Sequence, residues 1–245
     1  MRVPRADAEL ARARLLDLVP GGFEEVESGG SVELAAYTDE AGEARIREVF
    51  ADVSTRRVDA GWEDRWRAFH HPVHVGGLWI GPPWEQAPVD GPAVVVDPGR
   101  AFGTSAHPTT RACIELLSTL ERGGLLDAGC GSGVVAVAAV RLGFEPVVAV
   151  DLDPVAVEVA GETIRRNGVD VRVRQTDVLS DELPHTDVVV ANIELRVVEA
   201  LLARAPADVA VTSGYLAHET PRVEGWSSVM RIEPDGWGAD VLEAL

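Results

Sequence analysis

The second half of the chain alternates two hydrophobic rhythms. Runs of apolar or β-branched residues at 125–128, 146–150, 171–174, 187–191 and 208–212 have the length of strands. Between most of them, at 134–142, 154–167 and 195–204, apolar positions recur at helical spacing. Asp153 followed by Pro154 predicts a helix start, with the aspartate as N-cap and the proline in a first turn that does not need its N–H. Strands alternating with helices predict a parallel sheet with helices on both faces. Residues 227–232 and 239–245 are separated only by 233–238, which predicts a terminal hairpin added antiparallel at the sheet edge. The expectation for 87–245 is a Rossmann-like α/β domain with a mostly parallel, seven-stranded sheet.

The first sixty residues follow another order. A strand is expected at 1–5, then a helix at 6–19 carrying Leu10, Ala13, Leu16 and Val19, stopped by Pro20-Gly21-Gly22. Strands at 23–27 and 31–37 flank Gly29-Gly30, and a helix at 41–50 leads to a fourth strand at 54–58. That βαββαβ order predicts a small ferredoxin-like α+β domain over 1–60. Four of the six tryptophans, Trp62, Trp66, Trp79 and Trp84, fall in 61–86, which marks a packed connector rather than a loose linker. His70, His71 and His74 surround Pro72 in an extended stretch, with no carboxylate or cysteine at ligand spacing, so no metal is expected.

Composition narrows the function. A 245-residue chain that is 46% hydrophobic and 25% charged folds, and no apolar run approaches the length of a membrane span. The opening Met1-Arg2-Val3-Pro4-Arg5-Ala6-Asp7 lacks the apolar core of a secretory signal, so a cytoplasmic location is expected. Cys113 and Cys130 are too few for a disulfide framework or a cysteine zinc site. Forty acidic residues against 22 basic ones, every one of these an arginine, give a net charge of −18. Such a field repels phosphate backbones, which argues against general nucleic-acid binding and favours a basic protein partner, the alternative being that the charge serves solubility alone.

The sharpest local signal is Leu125-Leu126-Asp127-Ala128-Gly129-Cys130-Gly131-Ser132-Gly133, a strand entering a glycine-rich turn that opens a helix. A dinucleotide fingerprint spaces its glycines G-x-G-x-x-G. Here Gly129, Gly131 and Gly133 alternate, a spacing better suited to a nucleoside with an amino-acid tail than to a pyrophosphate. Asp151 ends the next strand about twenty residues on, where a carboxylate can accept both ribose hydroxyls. The helix-capping role open to it is assigned instead to Asp153. Asp177 follows the third strand and is a candidate for facing an adenine amino group. On these residues alone a nicotinamide dehydrogenase stays open beside the methyltransferases.

The combination of glycine turn, acidic strand end and acidic loop resembles the class I S-adenosylmethionine-dependent methyltransferases. Pro98-Gly99-Arg100-Ala101-Phe102-Gly103-Thr104-Ser105-Ala106-His107-Pro108-Thr109-Thr110 resembles the P-G-x-A-F-G-T-G-x-H-x-T-T signature of the PrmA family, methyltransferases of ribosomal protein L11. Asp187 to Ile193 resembles that family's D-x-x-x-A-N-I segment. Ser105 stands where the family usually has a second glycine, and Glu194-Leu195-Arg196 where it usually has an apolar or small pair. The resemblance implies a class I methyltransferase fold, S-adenosylmethionine as cofactor, and N-methylation of lysine ε-amines or the N-terminal α-amine of a basic ribosomal protein by a monomeric enzyme. A related protein acting on another amine, or a cofactor-binding relative without catalysis, is the alternative. The resemblance also implies that Phe102, Gly103 and Thr104 form a loop over the cofactor, with Phe102 excluding water and Thr104 near the reacting groups. His107 is expected to bond cofactor or substrate, a structural role being the alternative for a lone histidine. Asp127, Gly129, Gly131, Gly133, Asp151, Asp177 and Asn192 are expected to hold the cofactor. Asn192 is also expected to orient the amine, because a neutral amide accepts N–H bonds without the preference for ammonium that a carboxylate imposes. The alternative role for Asn192 is capping the helix that begins near Glu194.

Overall fold

The computed structural model describes residues 1–4, 11, 14, 15, 18, 24–28, 31–36, 38, 40–50, 52–55, 71–97 and 107–245, with backbone only for 24–28 and 40. Two compact units divide at Glu63/Asp64.

In the first unit, β1 (Arg2–Pro4), β2 (Glu24–Ser28) and β3 (Ser31–Ala35) form an antiparallel sheet in the order β1-β3-β2. Helix α1 spans Glu40–Val49. Val32 and Leu34 alternate with exposed neighbours along β3 and bury one face against Ile46 of α1 and the helical residues Ala11 and Leu15. The face predicted for the first helix, Leu10, Ala13, Leu16 and Val19, lies outside the described residues. Of the fourth expected strand, Ser54 and Thr55 carry no strand pairing and 56–58 lie outside the described residues.

The second unit opens with a small sheet that the sequence pattern did not predict. In it β4 (Val73–Val75) pairs antiparallel with β5 (Leu78–Gly81), which pairs parallel with β6 (Ala93–Val95). Strands of three or four residues are too short to display a period. Leu78, Ile80 and Val94 are fully buried in the main core, each contributing about 1.5–3 kcal/mol of apolar burial. A buried asparagine fastens this sheet: Asn167 accepts from the Val95 N–H and donates to the Val95 carbonyl, both at 2.7 Å.

The main sheet contains β7 (Leu125–Ala128), β8 (Val147–Asp151), β9 (Arg172–Gln175), β10 (Val188–Asn192), β11 (Val209–Leu216), β12 (Trp226–Ile232) and β13 (Trp237–Ala244). Their order is β12-β13-β11-β10-β7-β8-β9, as seven strands flanked by helices in a Rossmann-like arrangement. Five strands run parallel, and the terminal hairpin joins through β13, antiparallel to β11. Strand β7 and the first four residues of β8 and β10 are buried on both faces, which explains the continuous apolar runs of β8 and β10 and leaves Asp127 as the one charged residue in β7.

Among the described residues of this unit are the α-helices α2 (Pro108–Thr119), α3 (Val134–Leu142), α4 (Pro154–Asn167) and α5 (Leu195–Leu202). The expected cap of α4 is present, Asp153 accepting from the Val155 N–H at 2.8 Å, and Gly168 ends the helix in the left-handed region. Helix α2 was not predicted. His107 caps it ahead of Pro108, and Ala112, Cys113, Leu116 and Leu117 bury one stripe.

Candidate active site

The chain leaves β7 for β8 on one side of the sheet and later returns to β10 on the other. This makes the carboxyl ends of β7, β8 and β10 the topological switch point, where open α/β sheets bind ligands. A cavity of about 360 Å³ lies there, within the range of small-molecule sites. It is lined by Asp127 of β7, Gly129, Cys130 and Gly131 from the turn after it, Asp151 at the end of β8 with Leu152 beyond, 176–179 after β9, and Asn192 at the end of β10 with Ile193 beyond. Thr110 of α2 and Val197 of α5 complete the wall with Val134 and Val135.

The glycine turn spends its amides internally. The N–H groups of Gly129 and Cys130 donate to the Val150 carbonyl, that of Gly133 to Cys130, and that of Gly131 to Asp151 Oδ2 at 2.9 Å. Those four donors are not available as a phosphate cradle, and no basic side chain lines the cavity among the described residues. The site is a largely apolar cavity whose charged groups are all carboxyls, Asp127, Asp151 and Asp177. It suits hydroxyls, amines and cations rather than a pyrophosphate, the physical counterpart of the alternating glycine spacing.

Gly129 has φ +76°, and a Cβ there would lie 2.5 Å from Ile193 Cγ2. On the other side, a Cβ on Gly214 of β11, at φ +99°, would press into the Ile193 backbone. Ile193 is thus wedged between two glycines, which fixes the end of β10 and with it Asn192.

Asn192 Nδ2 reaches Thr110 Oγ1 at 3.4 Å, while its Oδ1 is buried and has no partner. It does not cap α5, whose N-cap is Glu194. An amide oxygen left bare in a cavity is an acceptor awaiting a donor. Asp151 keeps Oδ1 on the Asp153 N–H at 3.0 Å and Oδ2 on Gly131, so it bridges turn and strand while each oxygen retains a second lone pair. Asp177 is similarly engaged, accepting from the Leu179 N–H at 2.9 Å and the Ser180 hydroxyl at 3.0 Å.

Asp127 is only 4% exposed, and its Oδ2 has no partner. Burial pushes its carboxyl up to about 7, opposed by the Ala136 N–H and reinforced by the charge of Asp151. The same burial, with Asp127 beside them, pushes the thiols of Cys113 and Cys130 upward and keeps them neutral.

His107 stands at the N-cap of α2. Its Nδ1 lies 2.7 Å from Thr109 Oγ1 and accepts from the Thr109 N–H at 3.4 Å, its ring meets Trp237 edge-on at 5.2 Å, and it is not among the residues lining the cavity. Burial and Arg111 hold it below the ordinary histidine range. Phe102, Gly103, Thr104 and Ser105 lie outside the described residues. Gly133 stands at the N-cap of α3 with φ +76°.

Two contributors carried no assigned role. Thr110 closes the quoted signature and orients Asn192. Arg204, after α5, donates to the carbonyls of Val178 and Asp181, each at 2.6 Å, clamping the loop that forms one wall. No local pattern announces that clamp, because its partners lie more than twenty residues away.

The model of the family described as ribosomal protein L11 methyltransferase (PrmA) matches residues 30–230. Proteins named ribosomal protein L11 methyltransferase include one from Alteromonas mediterranea, 40% identical over 72% of this chain and 64% of its own. Another, from Thermoanaerobacter pseudethanolicus, is 33% identical over 78% of this chain and 67% of its own. The chain spans between about half and two thirds of the length of such relatives. The crystal structure of a ribosomal protein L11 methylase from Lactobacillus delbrueckii subsp. bulgaricus superposes with a TM-score of 0.61 at 25% identity, covering 68% of this chain and 93% of the other.

Proposed function

Because the chain belongs to the ribosomal protein L11 methyltransferase (PrmA) family, we propose that it transfers methyl groups from S-adenosylmethionine to lysine ε-amines or the N-terminal α-amine of ribosomal protein L11. The observation that carries this reading is the bare, buried Oδ1 of Asn192 in the cavity at the switch point, whose charged groups are carboxyls.

The residues fit the cofactor. The second lone pairs of Asp151 would take ribose hydroxyls, Asp177 the adenine amine, and the acidic lining the positive end of the molecule. When bound, S-adenosylmethionine supplies an electrophilic methyl group on a sulfonium centre. The chain's own task is to present a neutral amine in line with it and to keep water away. Neutralising a lysine at pH 7 costs about 4.6 kcal/mol, and an α-amine about 1 kcal/mol, from their reference pKa values. Asn192 Oδ1 accepts an amine N–H without stabilising the ammonium form. Thr110 holds that amide in place, and His107 acts one step back by capping the helix that carries Thr110. Phe102, Gly103 and Thr104 are assigned to the loop covering the cofactor. The predicted front domain, 1–60, is assigned to gripping the substrate, and the net charge of −18 steers a basic ribosomal protein towards the enzyme in the cytoplasm.

The test is incubation with labelled S-adenosylmethionine and recombinant ribosomal protein L11, followed by peptide mapping. Added methyl mass on lysine or the α-amine supports the reading; cofactor binding with no transfer overturns the substrate assignment. Asn192→Ala is expected to lower kcat at least about 100-fold with cofactor affinity nearly intact. Unchanged turnover removes Asn192 from its role.

A further inference from the structure

We propose that Asp127 couples occupation of the cavity to a proton, so that the site takes up a cationic ligand in exchange for the proton on this carboxyl and thereby discriminates ligands by charge. This rests on the S-adenosylmethionine reading above.

The geometry is that of a buried acid with no counter-ion among the described residues. Asp127 lies on β7 in the middle of the sheet, lines the cavity, and leaves Oδ2 without a partner. Among the described residues, the elements that line the cavity with it supply neutral or negative groups. Strand β8 brings Asp151, the loop after β9 brings Asp177, and β10 brings the neutral amide of Asn192. Helix α2 contributes Thr110 and the thiol of Cys113, the turn contributes the thiol of Cys130, and α3 gives only the Ala136 N–H. His107, at the head of α2, is turned to Thr109 and Trp237. A carboxylate so placed has lost water and gained a like charge, and both effects favour the protonated acid.

A cation entering the cavity reverses that balance. Opposite charge within a few ångströms favours the carboxylate, so the O–H bond of Asp127 breaks and its proton passes to the buffer. One positive charge enters and one leaves, and the buried site never carries an uncompensated ion. A neutral nucleoside of the same shape offers no such exchange and leaves the proton in place.

The experiment is calorimetric titration of the full chain at pH 6.0 in two buffers of different ionisation enthalpy. The probes are S-adenosylmethionine and 5′-methylthioadenosine, the latter having the nucleoside and thioether but no charged group. With the free carboxyl at about 7, release of about 0.9 proton per S-adenosylmethionine bound is expected, and none with 5′-methylthioadenosine. Affinity for S-adenosylmethionine is expected to fall about tenfold from pH 7.0 to 5.5 by the same linkage. Asp127→Asn, checked for folding by its thermal transition, should bind with no proton release and a flat pH profile. No release by the native protein, equal release with both probes, or unchanged release by Asp127→Asn overturns the proposal. Binding of neither probe overturns the cofactor reading itself, and this inference with it. The contrast between the two probes on the native protein stands even where the variant does not fold.

Discussion

Two aspartates are buried in the same sheet and live in opposite circumstances. Asp240, on β13, is 0% exposed and saturated: Oδ2 accepts from Arg231 at 2.7 Å and from the Tyr215 hydroxyl at 2.8 Å, and Oδ1 from Ser228 at 2.9 Å. Arg231 goes on to the carbonyls of Ala217 and Glu219. Asp127, three strands away on β7, has one bare oxygen and no cation beside it among the described residues. An ion in a dry interior costs several kcal/mol unless partners compensate it. At Asp240 the protein supplies all the compensation, and the carboxylate is part of the scaffold that seats the terminal hairpin. At Asp127 compensation is left to a ligand. Saturation, more than burial, separates the residue that holds the fold from the residue that works in the site.

The largest expected effect comes from breaking the saturated centre. Asp240→Ala removes the buried carboxylate from Arg231 and a partner from Tyr215 and Ser228, while Glu233 and Thr212 keep part of the network paired, and should cost about 3 kcal/mol in urea unfolding. A loss below about 1 kcal/mol would mean that the network is solvated and the contrast between the two sites is overstated. Arg204→Ala acts on the other side of the comparison by releasing the Val178 and Asp181 carbonyls that shape the cavity wall. S-adenosylmethionine should then bind about tenfold more weakly, roughly 1.4 kcal/mol, with kcat at saturation unchanged and partial rescue by Arg204→Lys. An unaltered Kd would separate that loop from binding.

The smallest effect concerns stability against pH. The folded chain keeps the Asp127 proton up to about 7, whereas an unfolded one releases it near 3.9. Between those values the folded state binds more protons, so the stability from this group is full at low pH and is lost as pH rises through 7. Between pH 6 and 8 the ligand-free protein should lose about 1 kcal/mol relative to Asp127→Asn, read from paired denaturation curves. Parallel curves would place the carboxyl in its ordinary range.

The main sheet was readable to within a few residues because strands buried on both faces leave continuous apolar runs, and because Asp153 and Pro154 punctuate a helix in the local code. Helix α2 escaped because the signature around His107 drew a functional reading, although Pro108 and the stripe Ala112, Cys113, Leu116 and Leu117 carry a helical one. Its location also explains His107, where one ring serves as a cap. In the site, Asp151, Asp177 and Asn192 were legible from their places at strand ends. The Arg204 clamp and the pairing of Thr110 with Asn192 were not, since they join segments remote in sequence through contacts that only the folded sheet creates. The state of Asp127 was equally hidden: a strand aspartate reads the same whether its neighbours are arginine and tyrosine or an open cavity.

Ile193, held between Gly129 and Gly214, has a consequence for inheritance. Each of the three positions is free of the others in the genetic text, yet none can change size alone without shifting the end of β10 and the amide beside it. A descendant that drifts widely over its acidic surface must pass these three letters on as one word, and a new acceptor specificity is more readily acquired around the wedge than through it.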